Sequence, residues 1–157
     1  MKKRYYIAYG SNLNIRQMRM RCPQAEVIGT AVIKDYELFF KGSLTGAYLT
    51  IEPKKGSSVP VAVWEVTETD ETALDRYEGF PTFYYKKEME LDIRDIHTGK
   101  MRREKCFVYI MHEERKIGIP FPAYVNTCLQ GYNSFGFDEH FLSEVQMKAA
   151  EVARHEG

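Results

Sequence analysis

Cysteine is scarce in this chain. Cys22, Cys106 and Cys128 are the only three in 157 residues, an odd number with no close spacing. A disulfide framework or a CxxC metal or redox site is therefore not expected. An excess of charge of one sign is lacking too. Lys plus Arg and Asp plus Glu both number 22, for a formal net charge of zero, whereas a nucleic-acid binder shows a basic excess. The short basic runs KKR (2–4) and RREK (102–105) read as solvated strand ends. No stretch approaches the ~20 apolar residues of a membrane span. The apolar run within MKKRYYIAYGSNL is also too short for a signal peptide. No Pro- or Ser-rich linker divides the chain, and its length suits one domain, 1–157. A chain of this size hides roughly two-thirds of its unfolded surface, enough for a core without staples. The expectation is a reduced, cytoplasmic, one-domain protein with no nucleic-acid or membrane partner, and a homodimer stays open.

What is present is mainly strand pattern, then helix. RYYIAY (4–9) is β-branched and aromatic, and a short helical piece follows from Asn14 to about Arg21. AEVIGTAVI (25–33), YELFFKG (36–42) and AYLTIEP (47–53) read as three strands separated by turn residues. VPVAVWEV (59–66) is nearly all apolar, as for a strand covered on both faces. TETDETALDRYEG then reads as a helix, with Thr69 or Asp70 as cap, acids in the first turn and Gly79 at its end. Strict alternation over Glu88–Ile93 marks a half-exposed strand, DIHTGK a hairpin loop and REKCFVYIM the returning strand. From Pro122 onward the spacing is helical, with Phe141, Val145, Lys148 and Val152 on one face. These elements make an α+β fold with a large sheet or barrel and late helices.

Two places suggest chemistry. In IAYGSNL (7–13) a strand stops at glycine, serine and asparagine before a helix, so backbone N–H groups gather at the helix's positive end. Glycine allows the positive φ such a turn often needs. Asn12 or Asn14 acting as a plain helix cap explains the same pattern. The second place is Glu78, the last residue before Gly79, where the negative end of the helix disfavours its charge by ~0.3–1 kcal/mol. Burial among Tyr77, Phe80, Phe83 and Tyr84 would raise its pKa further, toward a base useful near neutral pH. The alternative is a solvated glutamate beside a capping glycine. The four histidines are scattered with no metal-ligand spacing, and a Cys106–His112 nucleophile pair is less natural than a cysteine buried in a strand. Tyr109 and Tyr124 are candidates to line a polar pocket.

Taken in order, these segments resemble the γ-glutamylcyclotransferase-like superfamily. The resemblance is carried by Tyr9-Gly10-Ser11-Asn12-Leu13 after the first strand, GAYLTIEP (46–53) and VPVAVWEVTETDETALDRYEG (59–79). It continues through CFVYIM (106–111) and PAYVNTCLQGYNSFGF (122–137). It implies a compact mixed β-barrel with flanking helices and an enzyme that cyclises a γ-glutamyl group to 5-oxoproline with release of the attached amine. By position, Glu78 matches the general acid/base, and Tyr9, Gly10, Ser11, Asn12 and Leu13 match the substrate-holding loop. Tyr109 and Tyr124 match pocket tyrosines. Neither a metal nor a cofactor is implied, and the partner is a small γ-glutamyl molecule. FPTFYY after Gly79 is more aromatic than glutathione-type members lead one to expect, which leaves the amine portion open. A binding module without catalysis, or another acyl or amine transferase on this scaffold, are the rival readings.

Overall fold

The computed structural model describes residues 2–42 and 46–156. Its sheet is built from five long strands: β1 (Lys3–Ala8), β2 (Glu26–Gly42), β3 (Tyr48–Thr67), β4 (Tyr84–Asp95) and β5 (Met101–Met111). The strand order is β3-β1-β5-β4-β2, and β2 pairs again with β3, which closes the sheet into a mixed barrel. Every neighbouring pair is antiparallel except β1 and β5, which run parallel at Tyr6↔Phe107. A two-residue strand, β6 (Lys116–Ile117), adds to the far end of β2. The helices α1 (Ile15–Arg21), α2 (Glu68–Glu78), α3 (Pro122–Phe135) and α4 (His140–Glu156) flank this barrel.

The segments 25–33 and 36–42 expected as separate strands are one strand, and so are 47–53 and 59–66. The interruptions are bulges, not turns. Asp35 takes a left-handed conformation (φ 62°), and the β2–β3 pairing skips from Lys34↔Ser58 to Tyr36↔Pro53. The Asp35 carboxylate accepts a hydrogen bond from the Gly56 N–H (2.9 Å), tying the two bulged segments together. A bulge bends and twists a strand without ending its ladder. Long bent strands of this kind let a small barrel close. Residues 43–45, where a turn was expected, lie outside the described residues.

The core follows the apolar pattern. All residues from Val59 to Trp64 are buried, as expected for a strand covered on both faces. In α4 the buried stripe is Leu142, Val145 and Ala149: Val145 lies on the face expected, while Leu142 and Ala149 take the places of Phe141 and Lys148, and Lys148 is paired to Glu37 on β2. The α2 cap also differs from expectation. Thr67 at the end of β3 is the cap: its hydroxyl accepts from the Asp70 N–H, and the Asp70 carboxylate accepts from the Thr67 N–H, both at 3.1 Å. Strand runs straight into helix, so the capping residue is the strand's last one and not a loop residue.

Two features position the site. One is α3, which presses on the segment after β1 through Gly131, where a Cβ would lie 2.5 Å from the Leu13 carbonyl carbon. Only glycine lets the two backbones come so close. The other is α2, pinned to the barrel wall. Glu71 pairs with Arg4 (2.7 Å) and Lys86 (2.6 Å), and Asp75 pairs with Lys86 (2.9 Å) and accepts the Tyr109 hydroxyl hydrogen bond (2.6 Å).

Candidate active site

Past Ala8 the chain leaves the barrel through Tyr9 and Gly10 and forms a single 3-10 turn, Ser11–Leu13. Gly10 has φ −128°, so the expected positive φ is absent. Space is the reason for glycine here: a Cβ would stand 3.2 Å from the Tyr124 hydroxyl and 3.5 Å from Leu49 Cβ. The Leu13 and Asn14 N–H groups donate to the Gly10 and Ser11 carbonyls, both at 3.0 Å. The N–H groups of Ser11 and Asn12 come earlier, where the turn itself offers no acceptor.

The two asparagines divide the roles that the sequence left open. Asn14 is the ordinary cap of α1, accepting from the Gln17 N–H (3.1 Å), and it holds α3 through Thr127 and Gln130. Asn12 is turned the other way. Its amide donates to the Tyr6 hydroxyl (2.9 Å), and its carbonyl accepts from Arg21 (2.6 Å). Ser11 meets the Tyr77 hydroxyl at 2.8 Å.

Tyr6, Ser11, Asn12 and Tyr77 face a cavity of about 440 Å³, which is also lined by Tyr9, Gly10, Glu78, Tyr109 and Tyr124. Leu13 is the exception among the expected residues. It does not line the cavity but is fully buried under α3, because successive residues of a 3-10 turn point about a third of a turn apart and Leu13 comes round to the α3 side. Tyr109 contributes its ring, since its hydroxyl is committed to Asp75. The Tyr124 hydroxyl accepts from the Leu49 N–H (3.1 Å).

Glu78 ends α2, and Gly79 in the left-handed conformation (φ 65°) turns the chain away. The Phe80 N–H closes the helix end on the Asp75 carbonyl (2.9 Å). As a residue Glu78 is half-buried. Its carboxyl is nevertheless crowded enough that loss of hydration pushes its pKa up to about 8, with Arg21 pulling the other way. Removing water from a carboxylate disfavours its charged form, and a nearby guanidinium restores part of the loss. Tyr6, Tyr9 and Tyr84 are all held well above the ordinary phenol value by burial, with the Glu78 charge adding to it. They stay neutral: Tyr9 and Tyr84 donate to the Tyr109 and Leu49 carbonyls (2.7 and 2.9 Å), and the Tyr6 hydroxyl, which accepts from Asn12, keeps a proton to give.

Arg21 and Tyr6 were not singled out in the sequence. Arg21 lies over the Tyr77 ring (guanidinium carbon 3.6 Å from the centroid) and also bonds Gln17 (2.7 Å). Nothing in the helical spacing separates it from Arg16 or Arg19. Only folding α1 back beside the turn brings it to Asn12. Tyr6 could have been found from period-2 facing, since alternate residues of β1 point into the barrel.

Residues 6–125 match the model of a family described as gamma-glutamyl cyclotransferase, AIG2-like. The chain belongs to this family. Curated relatives agree with the family match. A gamma-glutamylcyclotransferase of Bos taurus is 33% identical over 138 residues, which cover 83% of this chain and 71% of that protein. One of Mus musculus is 26% identical over 159 residues, covering 97% of this chain and 81% of its own. A solved structure named gamma-glutamyl cyclotransferase superposes with a TM-score of 0.78 at 21% identity, over 98% of this chain and 99% of that one, which shows the same fold. The family's match spans the strand exit, the Glu78 helix and the start of α3 together. Among the described residues no helix is long and apolar enough to cross a membrane.

Proposed function

We propose that the chain is a γ-glutamylcyclotransferase that converts a γ-glutamyl amine or dipeptide into 5-oxoproline and the free amine, with Glu78 as the general acid/base. The reading is carried by one observation: Glu78 and the Gly10–Asn12 turn, 66 positions apart from Asn12 to Glu78 in the chain, open on the same cavity.

The substrate has an α-ammonium and a γ-carbonyl in one molecule. Holding its rotamer is most of the task, and good orientation is worth up to ~7–11 kcal/mol. The Glu78 carboxylate takes a proton from the α-ammonium. The freed amine attacks the γ-carbon, a C–N bond forms, and the carbonyl π pair moves to oxygen. When the carbonyl re-forms, the bond to the leaving nitrogen breaks and protonated Glu78 returns its proton there. The attacking nitrogen gives up one more proton, so the amine leaves as its ammonium and the lactam N–H keeps a single hydrogen. A carboxyl near pKa 8 is well matched to both transfers, and such acid–base work contributes ~10²–10⁴-fold. The N–H groups of Ser11 and Asn12, for which the turn itself offers no acceptor, and the Tyr6 hydroxyl are the donors assigned to the glutamyl carboxylate or the developing oxyanion.

The test is incubation with a panel of γ-glutamyl dipeptides and amides, with 5-oxoproline read by mass spectrometry. Glu78→Gln is expected to lower kcat at least ~100-fold while its thermal unfolding remains cooperative. Wild-type turnover by that folded variant removes Glu78 from its role, and product-free binding of every compound favours a module without catalysis.

A further inference from the structure

The polar groups just described occupy one part of the cavity. The rest is an arc of four aromatic rings in edge contact. Tyr124 meets Tyr48 (centroids 5.1 Å, 89°), Tyr48 meets Phe83 (6.3 Å, 89°), and Phe83 meets Tyr84 (5.2 Å, 65°). The aromatic segment after Glu78 is therefore split: Phe83 and Tyr84 line the cavity, while Phe80 packs outside it against Tyr109 and Lys86. We propose that this arc is the leaving-group subsite and that it selects γ-glutamyl compounds whose amine portion is neutral and aromatic or bulky and apolar. The proposal rests on the cyclotransferase reading and concerns the half of the substrate which that reading leaves open.

Three observations carry it. First, the arc offers carbon surface. The Tyr84 hydroxyl donates to the Leu49 carbonyl (2.9 Å), and the Tyr124 hydroxyl accepts from the Leu49 N–H beside Gly10, so both hydroxyls are anchored at β3 and the arc beyond them is ring carbon. Rings held edge to face leave slots in which another ring or a branched apolar group makes the same favoured contacts. Second, charge is arranged against the alternatives. Among the described residues the charged side chains lining the cavity are Glu78 and Arg76, and Arg76 is exposed. An amine bearing a carboxylate tail meets no cation within the arc. Third, a guanidinium already lies against it. Arg115, outside the residues that line the cavity, stands with its carbon 4.2 Å from the Phe83 centroid, so that ring's attraction for positive charge is already spent. At about 440 Å³ the cavity is in the range that encloses a whole small ligand, more than a γ-glutamyl group fills alone.

Four amides test this: γ-glutamyl benzylamide, γ-glutamyl ethylamide, γ-glutamyl (4-aminobutyl)amide with a cationic tail, and γ-glutamylglycine with an anionic one. The readout is kcat/KM for 5-oxoproline release. The benzylamide is expected to exceed each of the others by about 10-fold or more, as for other apolar pockets. Phe83→Ala and Tyr48→Ala are expected to shrink the benzylamide-to-ethylamide ratio several-fold. Because both rates come from one preparation, any fraction of protein that fails to fold cancels from the ratio. Arg115→Gln is expected to narrow the gap between the benzylamide and the cationic amide. Equal kcat/KM across the four amides overturns the subsite and leaves the cyclisation standing, as does a ratio that neither aromatic variant changes. No 5-oxoproline from any of them overturns both.

Discussion

Glu78 and Arg21 sit on two helices and act on each other through space. Burial raises the Glu78 carboxyl to about 8, and Arg21 is the opposing influence. In the proposed mechanism Glu78 works as a base only in its carboxylate form, so activity is expected to fall as pH drops through the region of 8. Replacing Arg21 with Gln removes the lowering charge and is expected to move that limb of the pH–rate profile upward. Every unit upward removes about tenfold of the carboxylate at pH 7. Arg21→Lys keeps the charge but loses the fork that reaches both Asn12 (2.6 Å) and Gln17 (2.7 Å). It is expected to hold the limb near its original position while KM rises. A profile unmoved by Arg21→Gln would show that the guanidinium serves only to hold the turn. At this scale the sequence was informative about Glu78, because a carboxylate ahead of a helix-ending glycine is locally anomalous. It was silent about Arg21, whose role exists only once α1 folds against the turn. It misled at Leu13, because neighbours in a motif do not share one direction once the chain turns as a 3-10 helix.

Helix α2 carries Glu78, and its two ends are held by different means. At the start Thr67 and Asp70 cap each other, and along its length Glu71 and Asp75 bind Arg4, Lys86 and Tyr109. Thr67→Ala removes one half of the box and is expected to cost about 0.5–2 kcal/mol. For a chain of this size that corresponds to a Tm lower by about 2–4 °C per kcal/mol, measurable by calorimetry. The contacts to Glu71 and Asp75 survive, so kcat is expected to fall far less than in Glu78→Gln. A Tm unchanged by Thr67→Ala would mean that those contacts alone hold the helix start. The existence of α2 was legible because its first-turn acids (Glu68, Asp70, Glu71) and Gly79 obey the end rules of a helix. Its cap was not, since a strand ending directly in a helix leaves no loop residue to recognise. The same cause hid the continuity of β2 and β3. Asp35 and Gly56 look like turn residues in sequence, but in the fold they are a paired bulge.

Closure of the barrel is uneven. β2 and β3 pair from Glu26↔Glu65 to Lys41↔Tyr48, and β4 and β5 from Tyr84↔Met111 to Arg94↔Met101. The junction between β2 and β4 rests on Gly29↔Asp95 and Thr30↔Arg94, with the Ile96 N–H reaching the Ile28 carbonyl (2.8 Å). In a ring ordered β3-β1-β5-β4-β2, that junction lies opposite β1, the strand that delivers Tyr6 and Tyr9 to the site. A barrel opens most easily where few backbone bonds must break, and such local openings are read by amide exchange. The Ile96 amide is therefore expected to exchange through a low-energy opening, while Ile7 and Val63, paired in the β1–β3 ladder, exchange only with global unfolding. Hydrogen exchange followed residue by residue, with denaturant added in small steps, separates the two classes by slope. If Ile96 shows the same slope as Ile7, the barrel unfolds as one unit and the junction is as strong as the rest. The other thin junction, β1 with β5 at Tyr6↔Phe107, borders the cavity, so an Ile96 opening that leaves the Ile7 amide protected shows that the β1–β3 ladder holds that side of the barrel while the far wall breathes.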